Sequence, residues 1–427
     1  MLKPDKIQSF PEHKPRAASA PSPLNGLKVV DFSHFIAGPL ATMLLADFGA
    51  DVFKIETPGK GDDFRHYPPL DASMPLQGIP YLWCNRNKKS VAIDLKSPAG
   101  IAVVKELIAT ADVVVENFST GVMERLGLGY ETCRALNPRL IFCTVSAYGR
   151  SGPYADRLGF DPIAQAESGF IHMNGYPDRV GVRAGAPVMD IGTAMMASNA
   201  ILLALLARER SGEGQLVELA LFDNALLMTG FAAMQNMAAG QEYQRFGNTS
   251  PDTCPSGVFK ASDKHFYLNS GNNKIFVRLF DEVLGRPDIA TDPVLLDRGN
   301  RINHRDFLFK VLNDAFAEHP WSYWQPKLRA ALVPHGEVRS LNDALSSDEA
   351  RSRDLVSRIP HPDAGWVPNL NSTIRLSKTP AVDPIAAPAL GEHTVEVLTD
   401  VLGFSEERIR ALKQDGAFGK VTQADPA

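Results

Sequence analysis

Five short β-branched runs alternate with helical stretches in the first third of the chain, and this alternation constrains the fold more than any other feature. "LKVVDFS" starts at Leu27, "ADVFKIE" at Ala50, "SVAIDL" at Ser90, "DVVVENF" at Asp112 and "RLIFCTVSAYG" at Arg139. Between them, "AGPLATMLLADFG" has helical spacing and ends in Gly49, and "IAVVKELIATA" follows from Ile101. Apolar runs separated by helices build βαβ units, hence a mostly parallel sheet covered on both faces. The fold expected is α/β, with a Rossmann-like large domain.

The first run is followed by "FSHFIAGP", where a G-x-G-x-x-G turn would stand in a dinucleotide-binding unit. The P-loop pattern is missing too, so a nicotinamide dinucleotide or ATP finds no support. A different ligand is expected at the C-terminal edge of the sheet.

In "VRAGAPVMDIGTAMMASNAILLALLARERSGEGQ", which begins at Val182, a long small-residue-rich helix is read from about Asp190. A polar, turn-rich stretch after it leads to "GVFKASDKHFYLNSGNN", a hairpin turning around Ser262–Lys264. Residues 275–330 read as helices rich in Phe, Leu and Trp. A smaller α+β domain is therefore placed at 226–330. Residues 333–391 are proline-rich and extended, and "EHTVEVLTDVLG" and "SEERIRALKQDG" close the chain as two helices. The first 23 residues carry basic residues and prolines but no apolar h-region, and read as a flexible extension or an arm on the surface.

At 427 residues the chain can hold two or three domains. Its net charge of -5 points away from nucleic acid. Four cysteines, Cys84, Cys133, Cys143 and Cys254, fall in no zinc-ligand spacing, so no metal is expected and a reducing cytoplasm fits. The longest unbroken apolar run, near Ala200–Ala207, is short of a membrane span. A cytoplasmic protein with no membrane partner is expected.

Basic residues recur in the loops after successive strands: Lys60, Arg65, Arg86, Lys88, Lys89, Lys96 and Arg125. They read either as solvated surface charges or as a site for a phosphorylated nucleotide, since ligands bind at these loop ends in open α/β sheets. Asn117 and Phe118 follow a strand directly. They could hold an adenine by hydrogen bond and stacking, or serve as a turn residue and a core plug. His34 stands alone, and no Ser-His-Asp set or G-x-S-x-G elbow is present. Asp190 lies at the start of the long helix, where an N-cap is the simplest role for it.

The segments "LNGLKVVDFSHFIAGPLATMLLADFGADVFKIETPGKGDD", "NRNKKSVAIDLKSPAG", "ADVVVENFSTGVMERLGLGYE" and "LNPRLIFCTVSAYGRSGPYADRLGFDPIAQAESG" closely resemble the family III CoA-transferases, as do "DIGTAMMASNAILLALLARERSGEGQLVELALFDNAL" and "APALGEHTVEVL". The resemblance runs from Leu24 to about Leu412. It implies a large domain built from both chain ends, residues 24–225 plus 331–427, and two subunits interlocked as a homodimer. It puts the nucleophile on Asp190 in "PVMDIGT". It carries CoA contacts to His34, Phe35, Ile36, Lys96, Asn117, Phe118 and Arg125. CoA and acyl-CoA enter as substrates rather than as bound cofactors.

The chemistry implied is nucleophilic exchange, in which an aspartyl anhydride and then an aspartyl-CoA thioester form on Asp190. The helix N-terminus is expected to keep the carboxylate ionised. Two departures narrow the reading. Ile36 and the short "SGNN" at Ser270–Asn273 replace the Gln and the glycine-rich loop of formyl-CoA transferase, which points away from formate and oxalate. Phe160 stands in "LGFDP" where the related 2-methylacyl-CoA racemases have a His, and a phenyl ring abstracts no proton. The resemblance is nearest to transferases acting from succinyl-CoA on small dicarboxylic acids. Phe160, Arg183, Arg245 and Asn272 are the candidate substrate residues, with His172 beside them. A racemase and a non-catalytic CoA-binding protein are the competing readings.

Overall fold

The computed structural model describes residues 2–17 and 19–419, and they divide into two compact units. The first comprises Met1–Ser168, Ala184–Gly230 and Asp348–Ala427; the second comprises Gly169–Arg183 and Phe231–Ser347. The boundaries thus differ from the expected ones: the N-terminal arm and residues 226–230 join the first unit, and two further segments join the second. Residues 169–183 join the second unit because Arg245 donates to the carbonyls of His172 and Tyr176, and the Gly247 N–H to that of Gly175. Residues 331–347 join it because they contain a third strand of its sheet.

The first unit is built on six parallel strands: β1 (Lys28–Asp31), β2 (Asp51–Glu56), β3 (Lys88–Ala92), β4 (Val113–Glu116), β5 (Ile141–Ser146) and β6 (Leu216–Ala220). They lie in the order β3-β2-β1-β4-β5-β6. The five runs read from sequence are β1–β5. The edge strand β6 carries no such apolar run, since its residues alternate between exposed and half-buried before Ala220.

Successive valines of β1 and β4 point to opposite faces, and both faces are covered. On one side Val29, Val52, Val113 and Val115 pack with helix α1 (Ala37–Ala46). On the other, Val30, Phe53 and Val114 pack with α2 (Pro98–Ala109). Each fully buried Val contributes roughly 1.5–3 kcal/mol. Further on are α3 (Asp161–Glu167), α4 (Val188–Ser211) and α5 (Leu221–Met228). The chain end returns to this unit as α6 (Thr394–Asp400) and α7 (Glu406–Gln414), where Val397 and Leu398 close the second face.

Helix α4 is the one helix among the described residues long and apolar enough to cross a membrane, with a mean hydropathy of 1.6. Its stripe Ala194, Ala197, Ile201, Ala204 and Leu205 recurs at helical spacing and is buried in the core of the first unit. Small side chains at three of these positions let α1 approach closely.

The segment read as proline-rich and extended contains a hairpin, Val356–His361 paired antiparallel with Gly365–Leu370. The N-terminal residues lie along it as an arm: the His13 N–H donates to the Arg358 carbonyl, and Lys14 pairs with Asp354 at 2.8 Å.

The second unit holds an antiparallel sheet of β7 (Ser256–Lys260), β8 (His265–Asn269) and β9 (His335–Glu337). The hairpin turns where expected, with the Ala261 N–H donating to the Lys264 carbonyl. Leu308, Leu312 and Phe316 recur every fourth residue on one helix face and bury against Phe259 and Phe266.

Candidate active site

In a sheet of this order the connections leave in opposite directions on either side of β1 and β4, and a crevice opens at their C-terminal ends. The loops after both strands form a cavity of about 410 Å³ there. His34, Phe35, Ile36, Asn117, Phe118, Phe160 and Asp190 all line it. Residues separated by up to 156 positions in the sequence are thus brought to one wall by topology (Asp190 less His34).

Asn117 fixes the loop after β1. Its Oδ1 accepts from the His34 N–H at 2.8 Å and its Nδ2 donates to the His34 carbonyl at 2.9 Å. The amide that sequence reading offered to an adenine is therefore engaged with backbone. The His34 and Phe118 rings stack tilted at 5.3 Å. Phe35 sits at φ 63°, a region unfavourable for a bulky residue. Its N–H donates to Asp62 Oδ1, which holds that conformation. Ile36 begins α1 as its N-cap residue.

Buried ion pairs lie beneath these loops. Lys54 and Asp62 are both fully buried and meet at 2.9 Å, and Lys54 also donates to the Ser33 carbonyl. Burial works to raise the Asp62 carboxyl, yet the Lys54 charge and His34 hold it far below the usual range. Arg65 is buried with Glu56, Arg86 with Asp47, and Lys88 with Asp31. Neither reading of the basic cluster, solvated surface charge or phosphate site, holds for these three residues, which are committed inside the fold. Lys60 and Lys89 pair with Asp63 and Glu396 at the surface. Lys96 and Arg125 are exposed, on the loop after β3 and in the short helix Val122–Arg125, and do not line the cavity.

Two arginines missed in the sequence do line it. Arg150 pairs with Glu116 at 2.7 Å and donates to Thr144 and the Phe118 carbonyl. Burial still raises the Glu116 carboxyl, against the pull of Arg150. Arg157 pairs with Glu167 and stacks on Tyr148 at 4.7 Å. Neither had a local signal, since their partners are fixed only by the fold. Arg183, Arg245 and Asn272 belong to the second unit. There Asn272 caps a helix by accepting from the Ile275 N–H, and Arg245 binds two carbonyls. His172 lies 3.6 Å from Glu242.

Asp190 is not the N-cap. Helix α4 starts with Val188 after Pro187, so Asp190 occupies its third position. No donor among the described residues reaches either oxygen of its side chain. Burial raises its carboxyl to about 7, and the neighbouring Asp161 adds to the shift. The expectation that the helix terminus simply keeps it ionised is thus corrected, because desolvation and a like charge oppose the dipole. Gly192, two residues on, permits the close approach of α5: a Cβ there would stand 2.7 Å from Asn224 Nδ2. Phe160, exposed in the cavity wall, packs edge-on against Phe35 at 6.1 Å.

Fold and site together define a Rossmann-like α/β enzyme whose switch-point cleft carries, at the start of α4, a half-buried carboxylate with no partner among the described residues. The profile of CoA-transferase family III matches residues 24–394, and the chain belongs to that family. It is 34% identical to the succinyl-CoA:glutarate CoA-transferase of Mus musculus, over 93% of this chain and 90% of that one. It is 36% identical to the succinyl-CoA–D-citramalate CoA-transferase of Chloroflexus aurantiacus, over 92% of this chain and 97% of that one. A CAIB/BAIF family protein from Brucella suis has a similar structure, with a TM-score of 0.80 at 32% identity, covering 89% of this chain and all of that one.

Proposed function

We propose that this enzyme moves CoA from succinyl-CoA to a small dicarboxylic acid through covalent intermediates on Asp190. The carrying observation is the Asp190 carboxylate, unpartnered in the wall of the switch-point cavity. The relatives named for succinyl-CoA and glutarate or citramalate support the choice of substrates.

In the first step a carboxylate oxygen of Asp190 attacks the thioester carbonyl, the C–S bond breaks, and CoA thiolate leaves an aspartyl anhydride. The thiolate then attacks the aspartyl carbonyl, and succinate departs with the bridging oxygen. The acceptor carboxylate attacks the resulting aspartyl thioester and expels the thiolate. That thiolate attacks the acceptor's acyl carbon, and the Asp190 carboxylate is regenerated. No water is consumed, so the thioester's energy is retained only while water is kept from the anhydride. The aromatic wall of Phe35, Phe118 and Phe160 serves that exclusion.

His34, Phe35, Ile36, Asn117 and Phe118 are proposed to hold CoA, with Lys96 on the loop after β3 and Arg125 at the end of the short helix Val122–Arg125 taking its phosphates. Arg157, on the cavity wall, suits the distal carboxylate of the acid. Phe160, Arg183, Arg245 and Asn272 are proposed for acid binding as well, and their alanine variants test it through the KM of the acid. A homodimer is proposed from the exposed apolar residues of α4 and α5, among them Met195, Leu203, Leu206 and Leu227. Sedimentation at micromolar concentration tests it, and a monomer would contradict it.

The test of the catalytic role is Asp190→Ala, assayed for CoA exchange between succinate and a panel of dicarboxylic acids. Exchange should vanish while the circular dichroism spectrum stays unchanged. Turnover at the original rate would overturn the assignment.

A further inference from the structure

The N-terminus of α4 is capped from outside the helix. Pro187, its N-cap residue, has no side-chain acceptor. Instead Asp161, buried at the first position of α3, reaches across: its Oδ2 accepts from the Met189 N–H at 2.7 Å and the Asp190 N–H at 3.3 Å. Its Oδ1 accepts from Gln165 Nε2 at 2.5 Å, and Gln165 in turn accepts from the Ala184 N–H at 2.8 Å. Asp161 is thus locked from both sides, and so is the backbone that leads into α4.

An Asp in the first turn of a helix ordinarily spends its oxygens on the free N–H groups there. With Asp161 on two of those groups, the Val188 N–H donating to the Ala186 carbonyl and Pro187 lacking an N–H, Asp190 has no such bond to make. We propose that Asp161 is a positioning residue, which takes over the cap of α4 so that the Asp190 carboxylate stays available to attack an acyl-CoA. This rests on the reading of Asp190 as the nucleophile.

The arrangement also sets the charge around Asp190. Helix α1, packed against α4, carries no titratable side chain. On α3, Glu167 is turned to Tyr148 and Arg157, which leaves Asp161. Asp223 on α5, Cys143 on β5 and Glu218 on β6 are the remaining groups on packed elements, and Glu218 accepts from the Arg150 N–H. His34, Asp63, Arg150, Asp156 and Arg157 line the same cavity. Of all these, only Asp161 adds to the effect of burial on Asp190. A carboxylate held near neutrality is a stronger nucleophile than one held near 4.

The test compares Asp161→Asn and Asp161→Ala in the full-length enzyme, with succinyl-CoA as donor. The Asn variant keeps an oxygen acceptor but no charge, so its rate at pH 8 should stay within about threefold while the acid limb of its kcat profile moves down by about one pH unit. The Ala variant loses the acceptor, and its kcat should fall about a hundredfold with little change in the KM for succinyl-CoA. An Ala variant with unchanged kcat overturns the proposal. If that variant does not fold, the Asn profile decides alone, and an unmoved acid limb overturns it. The covalent adduct on Asp190 in the unsubstituted enzyme is measured alongside. Its absence would sink the nucleophile reading, whereas its presence with unaltered Asp161 variants would sink only the role of Asp161.

Discussion

Asn117 grips His34 by both backbone groups, accepting from its N–H at 2.8 Å and donating to its carbonyl at 2.9 Å. One side chain thereby ties the loop after β4 to the loop after β1, across the switch point where the cavity opens.

Asn117→Ala removes both bonds at once. It should raise the KM for acyl-CoA about tenfold while kcat falls less, because the loop's geometry is loosened and Asp190 is untouched. Steady-state kinetics over a range of succinyl-CoA concentrations read the split.

Lys54→Met leaves Asp62 as an unpaired buried charge. Breaking such a pair costs about 3–5 kcal/mol. Because Asp62 also accepts from the Phe35 N–H, the cavity loop should loosen with it. Urea unfolding should show the loss, and a double variant with Asp62→Leu should recover part of it.

Gly38→Ala places a Cβ against the Ser33 side chain in the first turn of α1. Ser33 is buried and bonded to Asp31, so it has little room to move. The variant should lose about 1–3 kcal/mol and melt several degrees lower.

The architecture of the first unit was legible because its strands are continuous apolar runs, and local pattern suffices to find those. The pairing of its charges was not. Lys88 meets Asp31 and Arg86 meets Asp47 across 57 and 39 positions. In the sequence these basic residues look alike. Asp190 was legible as the start of a helix but misplaced as its cap, because the true acceptor, Asp161, lies 29 positions upstream. Arg150 and Arg157 were passed over for the same reason: what places them in the cavity wall is tertiary.

Asp190 ties stability to pH. Its carboxyl titrates at about 7 in the folded protein against 3.8 unfolded, so the folded state holds the proton more tightly. Stability is therefore lost as pH rises from near 4 to near 7, and the full cost is present above that. Asp190→Asn should be more stable than the unsubstituted enzyme at pH 8 by about 1–3 kcal/mol, allowing for its partial exposure. The difference should vanish below about pH 4, where both states are protonated. Thermal melts at both pH values check it.

The most direct measurement is mass spectrometry of the enzyme quenched after mixing with succinyl-CoA in the absence of acceptor. A covalent CoA thioester on the peptide that contains Asp190 is predicted, discharged on adding a dicarboxylic acid and absent in Asp190→Ala. An unmodified Asp190 in an enzyme that is turning over would contradict the account.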